Sequence, residues 1–332
     1  MILALVHILL AITAAAAAQT TQTTNTCSDG DDKSCTTVIA STSTVTLNTG
    51  YTLPRIGLGV YQSEPGEETY QACLAALEAG YRHIDTAAMY GNEQAVGRAV
   101  RDSGIPRSEI FVTTKFWPGY GAIEPGTGFD LAIAKGEESN TNLGLDYIDL
   151  YLIHAPAWGK ERINVWRGFK ELFKRGIARS IGVSNYGIHH LEEIIHTDID
   201  SAEAANALGG EENIIPAVNQ IELHPFMLHD DIESYCLSHG IVLQAYAPIA
   251  QATRLDHPLF VSLAEQHNCT CAQVMLRWGI QRRFVILPKS VQKHRIVENQ
   301  NLDGFILSEM EMRQINALDE YKGTSWDPTI WE

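Results

Sequence analysis

Residues 83–115 read "HIDTAAMYGNEQAVGRAVRDSGIPRSEIFVTTK" and contain one complete unit of strand, helix and strand. The short run 83–86 predicts a strand, the segment 92–104 predicts a helix that begins at Asn92, and the run 110–115 predicts the next strand. Two strands joined by a helical crossover lie parallel in one sheet. This stretch therefore predicts an α/β fold.

The same alternation of strand and helix continues from residue 45 onward. The strands are largely apolar, as expected for a parallel sheet covered by helices. Eight of them are predicted, at 56–60, 83–86, 110–115, 147–154, 178–184, 217–222, 241–248 and 284–288. Eight such units predict a closed (β/α)8 TIM barrel over residues 45–332. The segment "VTLNTGYTL", residues 45–53, predicts a β-hairpin.

A doubly wound sheet that binds a dinucleotide is the alternative architecture. Its signature is G-x-G-x-x-G directly after a strand. The nearest segment, "GLGVYQ" at 57–62, lacks the third glycine and leads into a loop. The barrel is therefore the favoured prediction.

Composition limits the classes of partner. The 332 residues are 45% hydrophobic and 19% charged, which is ordinary for a globular protein with a sizeable core. A formal net charge of −16 argues against a general affinity for nucleic acid or anionic membranes. The six cysteines have no zinc-binding spacing, so no metal site is predicted.

The N-terminal residues differ from the rest of the chain. The segment "MILALVHILLAITAAAAAQT" predicts a signal peptide over residues 1–18, with a membrane anchor or an organelle address as alternatives. Residues 19–44 are rich in Thr and Ser and predict a disordered spacer. We therefore expect a location in the secretory pathway or an organelle, without a membrane anchor after leader removal. The location would be cytoplasmic if the leader does not function.

Four ionisable side chains lie at or just after the ends of three successive predicted strands. They are Asp85, with Tyr90 in the following loop, then Lys115 and then His154. Each has an ordinary explanation as a loop, solvent-exposed or structural residue. In a barrel, however, the carboxyl ends of the strands carry the chemistry. Together, the four residues predict an active site.

These side chains suit the reduction of a carbonyl group. A tyrosine can protonate a developing alkoxide if its pKa, normally about 10, is lowered toward neutral pH. The ammonium of Lys115 would lower that pKa, and Asp85 would hold the lysine in place. His154 could donate a hydrogen bond to the carbonyl oxygen. Such a site still requires a hydride donor.

The chain from about residue 45 to 328 resembles the aldo-keto reductases, in particular the compact, microbial-type members. The resemblance lies in "GLGVY", "HIDTAAMYGNE", "VTTK", "DLYLIHAP", "IGVSN", "NQIELHP", "AYAPI" and "LPKS" followed by "RIVEN". It implies a hairpin at the bottom of the barrel and a catalytic tetrad of Asp85, Tyr90, Lys115 and His154. It also implies that Ser184, Asn185 and Gln220 bind the nicotinamide carboxamide, and that Tyr246 stacks on the nicotinamide ring.

The cofactor implied is NADPH rather than NADH. Lys289, Ser290 and Arg295 converge near a helix start and could bind a phosphate, although exposed charge at a helix entry is the ordinary interpretation. In the family these positions hold the adenosine 2′-phosphate. Glu298 and Asn299 are then expected at the adenine.

Two positions depart from the family pattern. Ala155 follows His154 at a position where the family commonly has Trp, and Tyr61 occupies another position where the family usually has Trp. Tyr61 and Trp117 are predicted walls of the substrate pocket, with further aromatic candidates at Tyr120, Trp158 and Trp326.

Three function classes follow from the sequence. The first is an NADPH-dependent reductase of aldehydes or ketones, expected as a monomer. The second is a regulatory protein that binds the nucleotide on the same fold. The third is a secreted interaction protein that has kept the barrel.

Overall fold

The computed structural model describes residues 23–24, 38–119, 123–156, 159, 161–196 and 214–331. The leader at 1–18, most of the spacer, Tyr120, Trp158 and the acidic segment 198–212 lie outside these residues. The leader and the location therefore stay predictions.

Eight parallel strands form the centre of the molecule, each hydrogen-bonded to the next along the chain. We number them after four short N-terminal strands: β5 Leu58–Gly59, β6 His83–Asp85, β7 Phe111–Phe116, β8 Leu150–Ile153, β9 Ile181–Ser184, β10 Val218–Glu222, β11 Val242–Tyr246 and β12 Val285–Leu287. The last strand returns to the first, since the Gly57 amide donates to the Ile286 carbonyl (3.0 Å) and the Ile286 amide donates to the Arg55 carbonyl (2.8 Å). This closure confirms the predicted (β/α)8 barrel and excludes the alternative of a doubly wound sheet.

Helices cover the outside of the barrel. They are α1 Glu67–Ala79, α2 Glu93–Asp102, α3 Gly128–Leu143, α4 Glu161–Lys174, α5 Ile188–His196, α6 Asp230–Ser238, α7 Pro258–His267, α8 Cys271–Gln281, α9 Lys293–Gln300 and α10 Glu309–Asn316. In helix α2, Ala95, Val96, Ala99 and Val100 form one buried face, as expected for apolar residues spaced by the 3.6-residue turn of an α-helix. Among the described helices, none is both long and apolar enough to span a bilayer.

A β-hairpin closes the bottom of the barrel, as predicted. Strands β3 Thr44–Thr46 and β4 Thr52–Pro54 pair antiparallel. The apolar side chains of Val45, Leu47 and Leu53 pack in one buried cluster with residues at the amino ends of barrel strands, among them Leu150 and Val285. Because the hairpin covers the amino end of the barrel, the carboxyl end is the open face that can hold an active site.

The part of the chain that packs on the barrel includes residues before position 45. Strand β2, Val38–Ile39, pairs antiparallel with β1, Thr23–Thr24. The Arg277 guanidinium donates to the Ile39 carbonyl at 2.9 Å, and the Ser41 amide donates to Asp303 Oδ1 at 2.8 Å. Arg277 and Asp303 lie more than 200 residues away from these partners in sequence, so composition did not indicate the contacts.

Candidate active site

The carboxyl ends of β6, β7 and β8 bring the four predicted side chains to one place. Asp85 is the last residue of β6, Lys115 is the penultimate residue of β7, and His154 follows β8 directly. Tyr90 ends a single 3₁₀ turn, Ala88–Tyr90, in the loop after β6. Asp85, Lys115 and His154 are buried, and Tyr90 is half-buried.

The loop that carries Tyr90 is held by Asn92, a residue that the sequence analysis treated only as a helix start. The side-chain nitrogen Nδ2 of Asn92 donates to the Val60 carbonyl at 3.0 Å, and its Oδ1 accepts from Thr86 Oγ1 at 2.6 Å. The chain turns between Tyr90 and Asn92 at Gly91, whose φ of 68° is readily adopted by glycine. Asn92 therefore ties the tyrosine loop to the ends of two strands.

Asp85 and Lys115 form a buried ion pair. Lys115 Nζ lies 2.6 Å from Asp85 Oδ1 and 2.7 Å from the Thr86 carbonyl oxygen, and the two paired side chains are only 0% and 5% exposed. Asp85 Oδ2 accepts a further hydrogen bond of 2.8 Å from Gln220 Nε2. Burial raises the pKa of Asp85 and lowers that of Lys115, and the attraction within the pair opposes both changes.

Tyr90 and His154 face each other beside this pair. The Tyr90 hydroxyl lies 3.5 Å from His154 Nε2, and Lys115 Nζ lies 5.1 Å from the centroid of the Tyr90 ring. Burial, and then the charge of Asp85, raise the pKa of Tyr90 well above its usual value. The expected net lowering of this pKa is therefore wrong in this structure, because burial is the largest effect and the charge of Asp85 acts in the same direction. The phenol keeps its proton at neutral pH.

The imidazole of His154 is uncharged at neutral pH. Burial, assisted by the charge of Lys115, holds its pKa well below the usual value. Among the described residues, His154 Nδ1 has no hydrogen-bond partner. A neutral imidazole has one N–H donor, so His154 can donate to a polar atom placed between itself and Tyr90.

The four predicted nicotinamide residues also lie together. Tyr246 donates to Asn185 Oδ1 at 3.0 Å, and Asn185 Nδ2 donates to the His154 carbonyl at 2.9 Å. Ser184 Oγ donates to the Gln220 carbonyl at 2.7 Å. These hydrogen bonds connect the predicted cofactor residues to His154. Gln220 has a second role that the sequence did not indicate, which is its hydrogen bond to Asp85.

The predicted phosphate-binding residues surround the start of α9. Lys289 and Arg295 are exposed, and neither forms an ion pair within the part of the chain that the structure describes. Ser290 is buried, and its Oγ accepts from the Gln292 amide at 3.1 Å. Two cations without an ion-pair partner among the described residues, beside a helix start, can bind an anion.

The predicted adenine residues lie further along the same helix. Glu298 accepts a hydrogen bond of 2.9 Å from Thr270 Oγ1, and it lines an open groove with Thr270 and Cys271. Asn299 is buried. Glu298 thus borders a groove, which is the kind of surface that a planar ring can enter.

Aromatic rings form the rim around Tyr90 and His154. The rings of Tyr61 and Tyr90 lie 5.0 Å apart between centroids, and Trp117 meets His154 edge-on at 5.5 Å. Trp117 also contacts Trp326 at 5.7 Å. Tyr61 is 52% exposed, so it remains accessible to a ligand at the mouth of the barrel. Within the described residues, no group of three or more His, Cys, Asp or Glu could hold a metal ion.

The chain is similar to proteins of known sequence and structure. The Aldo/keto reductase family model matches residues 55–320. The glyoxal reductase of Bacillus subtilis is 40% identical over 290 residues, which cover 87% of this chain and 98% of the relative.

Two solved structures are also similar. An aldo-keto reductase from a Medee basin deep-sea metagenome library superposes with a TM-score of 0.74 at 39% identity, covering 84% of this chain and 96% of that one. The Bombyx mori aldo-keto reductase in complex with NADP superposes with a TM-score of 0.73 at 33% identity, covering 85% of this chain and 94% of that one.

Proposed function

The chain belongs to the aldo/keto reductase family, and we propose that it reduces an aldehyde or a ketone to an alcohol, with NADPH as hydride donor and Tyr90 as proton donor. One observation carries the proposal. The hydroxyl of Tyr90 and Nε2 of His154 lie 3.5 Å apart at the open end of the barrel, beside the buried pair of Lys115 and Asp85.

Tyr90 supplies the proton in the proposed reaction. The substrate oxygen is placed between the Tyr90 hydroxyl and the neutral imidazole of His154, and both donate hydrogen bonds to it. As the oxygen gains negative charge, Tyr90 transfers its proton and the alcohol forms. The negative charge then developing on Tyr90 is stabilised by the nearby ammonium of Lys115, an interaction that is stronger in the transition state than in the ground state.

The residues at the barrel mouth fit a nicotinamide cofactor. Gln220 Nε2 donates to Asp85 and to Gln244, which leaves its Oε1 for another donor, and Asn185 Nδ2 lies 3.2 Å from Ser184 Oγ. These three groups would hold the carboxamide, and the ring of Tyr246 would support one face of the nicotinamide. When bound, reduced nicotinamide supplies the hydride.

The cations beside α9 favour NADPH over NADH. Lys289 and Arg295 have no ion pair within the described residues, and Ser290 offers a hydroxyl near the helix start. A 2′-phosphate would receive charge-assisted hydrogen bonds from these groups. Glu298 and Asn299 would contact the adenine. The Bombyx mori relative, which was solved with NADP, supports this choice.

The proposed substrates are small aldehydes and ketones, including dicarbonyls and aromatic aldehydes. The name of the Bacillus subtilis relative supports glyoxal as a first test compound. The aromatic rim of Tyr61, Trp117 and Trp326 favours substrates with a planar or apolar group next to the carbonyl.

The test is NADPH oxidation, followed by absorbance, with glyoxal and a panel of aromatic aldehydes. Tyr90→Phe removes one hydroxyl and almost no volume, so the variant should fold and bind NADPH normally. Its turnover should fall by at least about 10²-fold, within the range of general acid catalysis. Near-normal turnover in Tyr90→Phe would refute the mechanism. NADPH binding without turnover by the unmodified protein would instead support a regulatory role.

A further inference from the structure

A chain of buried amides crosses the inside of the barrel and ends at Asp85. Gln244 on β11 is fully buried, and its Oε1 accepts a hydrogen bond of 2.7 Å from Gln220 Nε2. The same nitrogen of Gln220 donates to Asp85 Oδ2 at 2.8 Å. Gln220 lies on β10 and Asp85 on β6, 135 residues apart, so the chain links three strands.

Hydrogen-bond chemistry determines the orientation of both amides. The carboxylate of Asp85 only accepts hydrogen bonds when ionised, so the amide nitrogen of Gln220 must face it. The second hydrogen of that nitrogen then requires an acceptor, which is the oxygen of Gln244. Both hydrogens of Gln220 Nε2 are therefore used, and its oxygen is left for another donor.

This orientation has an energetic cost at Gln244. Its Nε2 is buried and has no hydrogen-bond partner within the described residues. An unsatisfied buried donor destabilises a protein, whereas an apolar side chain of similar size would not. The presence of an amide here is explained if its oxygen has a role that an apolar group cannot replace.

We propose that Gln244 is a positioning residue for the carbonyl reduction proposed above, and the inference rests on that function. By accepting from Gln220, it holds the nitrogen of Gln220 on Asp85 and leaves Gln220 Oε1 free for the carboxamide of the nicotinamide. One buried glutamine thus couples the proton-transfer residues to the cofactor residues.

Other titratable groups also surround Asp85 and contribute to any pH effect. Lys115 on β7 is paired with Asp85, and Tyr90 in the loop after β6 senses its charge. His83 on β6 and His154 after β8 face Lys115 and are uncharged at neutral pH. Only Asp85 of this group accepts a hydrogen bond from Gln220, so loss of that bond acts first on Asp85.

The test compares Gln244→Met with Gln244→Glu. Methionine has a similar volume but does not provide the strong oxygen acceptor. Loss of one neutral hydrogen bond should lower kcat/KM for the aldehyde about fivefold. The KM for NADPH should rise, and the acid limb of the pH–rate profile should move to higher pH, because a hydrogen bond to a carboxylate favours its ionised form. Buried beside Asp85, a glutamate takes up a proton, and its carbonyl oxygen still accepts the hydrogen bond, so this variant should recover most of the loss in kcat/KM.

Leu243→Ala is the matched control for stability. Leu243 is the neighbour of Gln244 on β11, and its side chain packs in the core on the other face of the strand. This variant should lower the melting temperature without changing the pH profile or the KM for NADPH.

Two outcomes would overturn the inference. One is a Gln244→Met enzyme with unchanged pH profile and KM. The other is a pattern identical to that of Leu243→Ala, which would indicate a purely structural role. Both are distinguishable from failure of the proposed function, since in that case the unmodified protein would not reduce carbonyls at all.

Discussion

Substitution of Lys115 by Met should cost stability in a way that depends on pH. The ammonium of Lys115 is fully buried and makes two short contacts, 2.6 Å to Asp85 and 2.7 Å to the Thr86 carbonyl. Without it, the buried carboxylate of Asp85 keeps, among the described residues, only the hydrogen bond from Gln220. Removal of one partner of a buried ion pair costs about 3–5 kcal/mol.

Part of this cost can be avoided if Asp85 takes up a proton. In Lys115→Met, the pKa of Asp85 in the folded state should lie far above its unfolded value of about 3.9. The folded state then binds more protons than the unfolded state, so stability falls as pH rises, by up to about 1.4 kcal/mol per pH unit. The loss should be about 2 kcal/mol near about pH 5.5 and about 3–5 kcal/mol near about pH 8.

The measurement is the free energy of unfolding in urea at both pH values, for the variant and the unmodified protein. The double variant Asp85→Asn with Lys115→Met removes the buried charge, so it should regain most of the stability and lose the added pH dependence. Its turnover should stay low, because no ammonium remains beside Tyr90. Equal losses at both pH values for the single variant would refute the account of Asp85.

Three further predictions concern other parts of the molecule. Arg295→Met should weaken NADPH binding by about 2–4 kcal/mol and leave NADH binding nearly unchanged, as measured by fluorescence titration with both cofactors; equal weakening for both would contradict the phosphate assignment. Asp303→Ala removes two hydrogen bonds donated by Ser41 and the ion pair with Arg277 at 3.4 Å, and it should lower the free energy of unfolding by about 1–2 kcal/mol with unchanged kcat, whereas a loss of turnover would show that these contacts serve the site. Protein from the native source should lack Met1 to about Ala18, which N-terminal sequencing would test, and an intact Met1 would exclude cleavage of the leader.

The sequence by itself determined the fold class and the positions of the catalytic candidates. Strands and helices are read from local periodicity, which depends on residues a few positions apart. Asp85, Lys115 and His154 were found because a parallel barrel brings the carboxyl ends of its strands to one face. The hairpin at 45–53 was also recognisable, since a tight turn is encoded locally.

Only the tertiary structure decided how these side chains interact. The hydrogen bond from Gln220 to Asp85 joins residues 135 positions apart. The hydrogen bond from Arg277 to the Ile39 carbonyl joins residues 238 positions apart. The direction of the pKa change at Tyr90 follows from its burial and from the charge of Asp85, and neither effect can be read from composition. Periodicity reports which face of an element is buried, whereas pairing and pKa depend on which side chains from distant segments meet there.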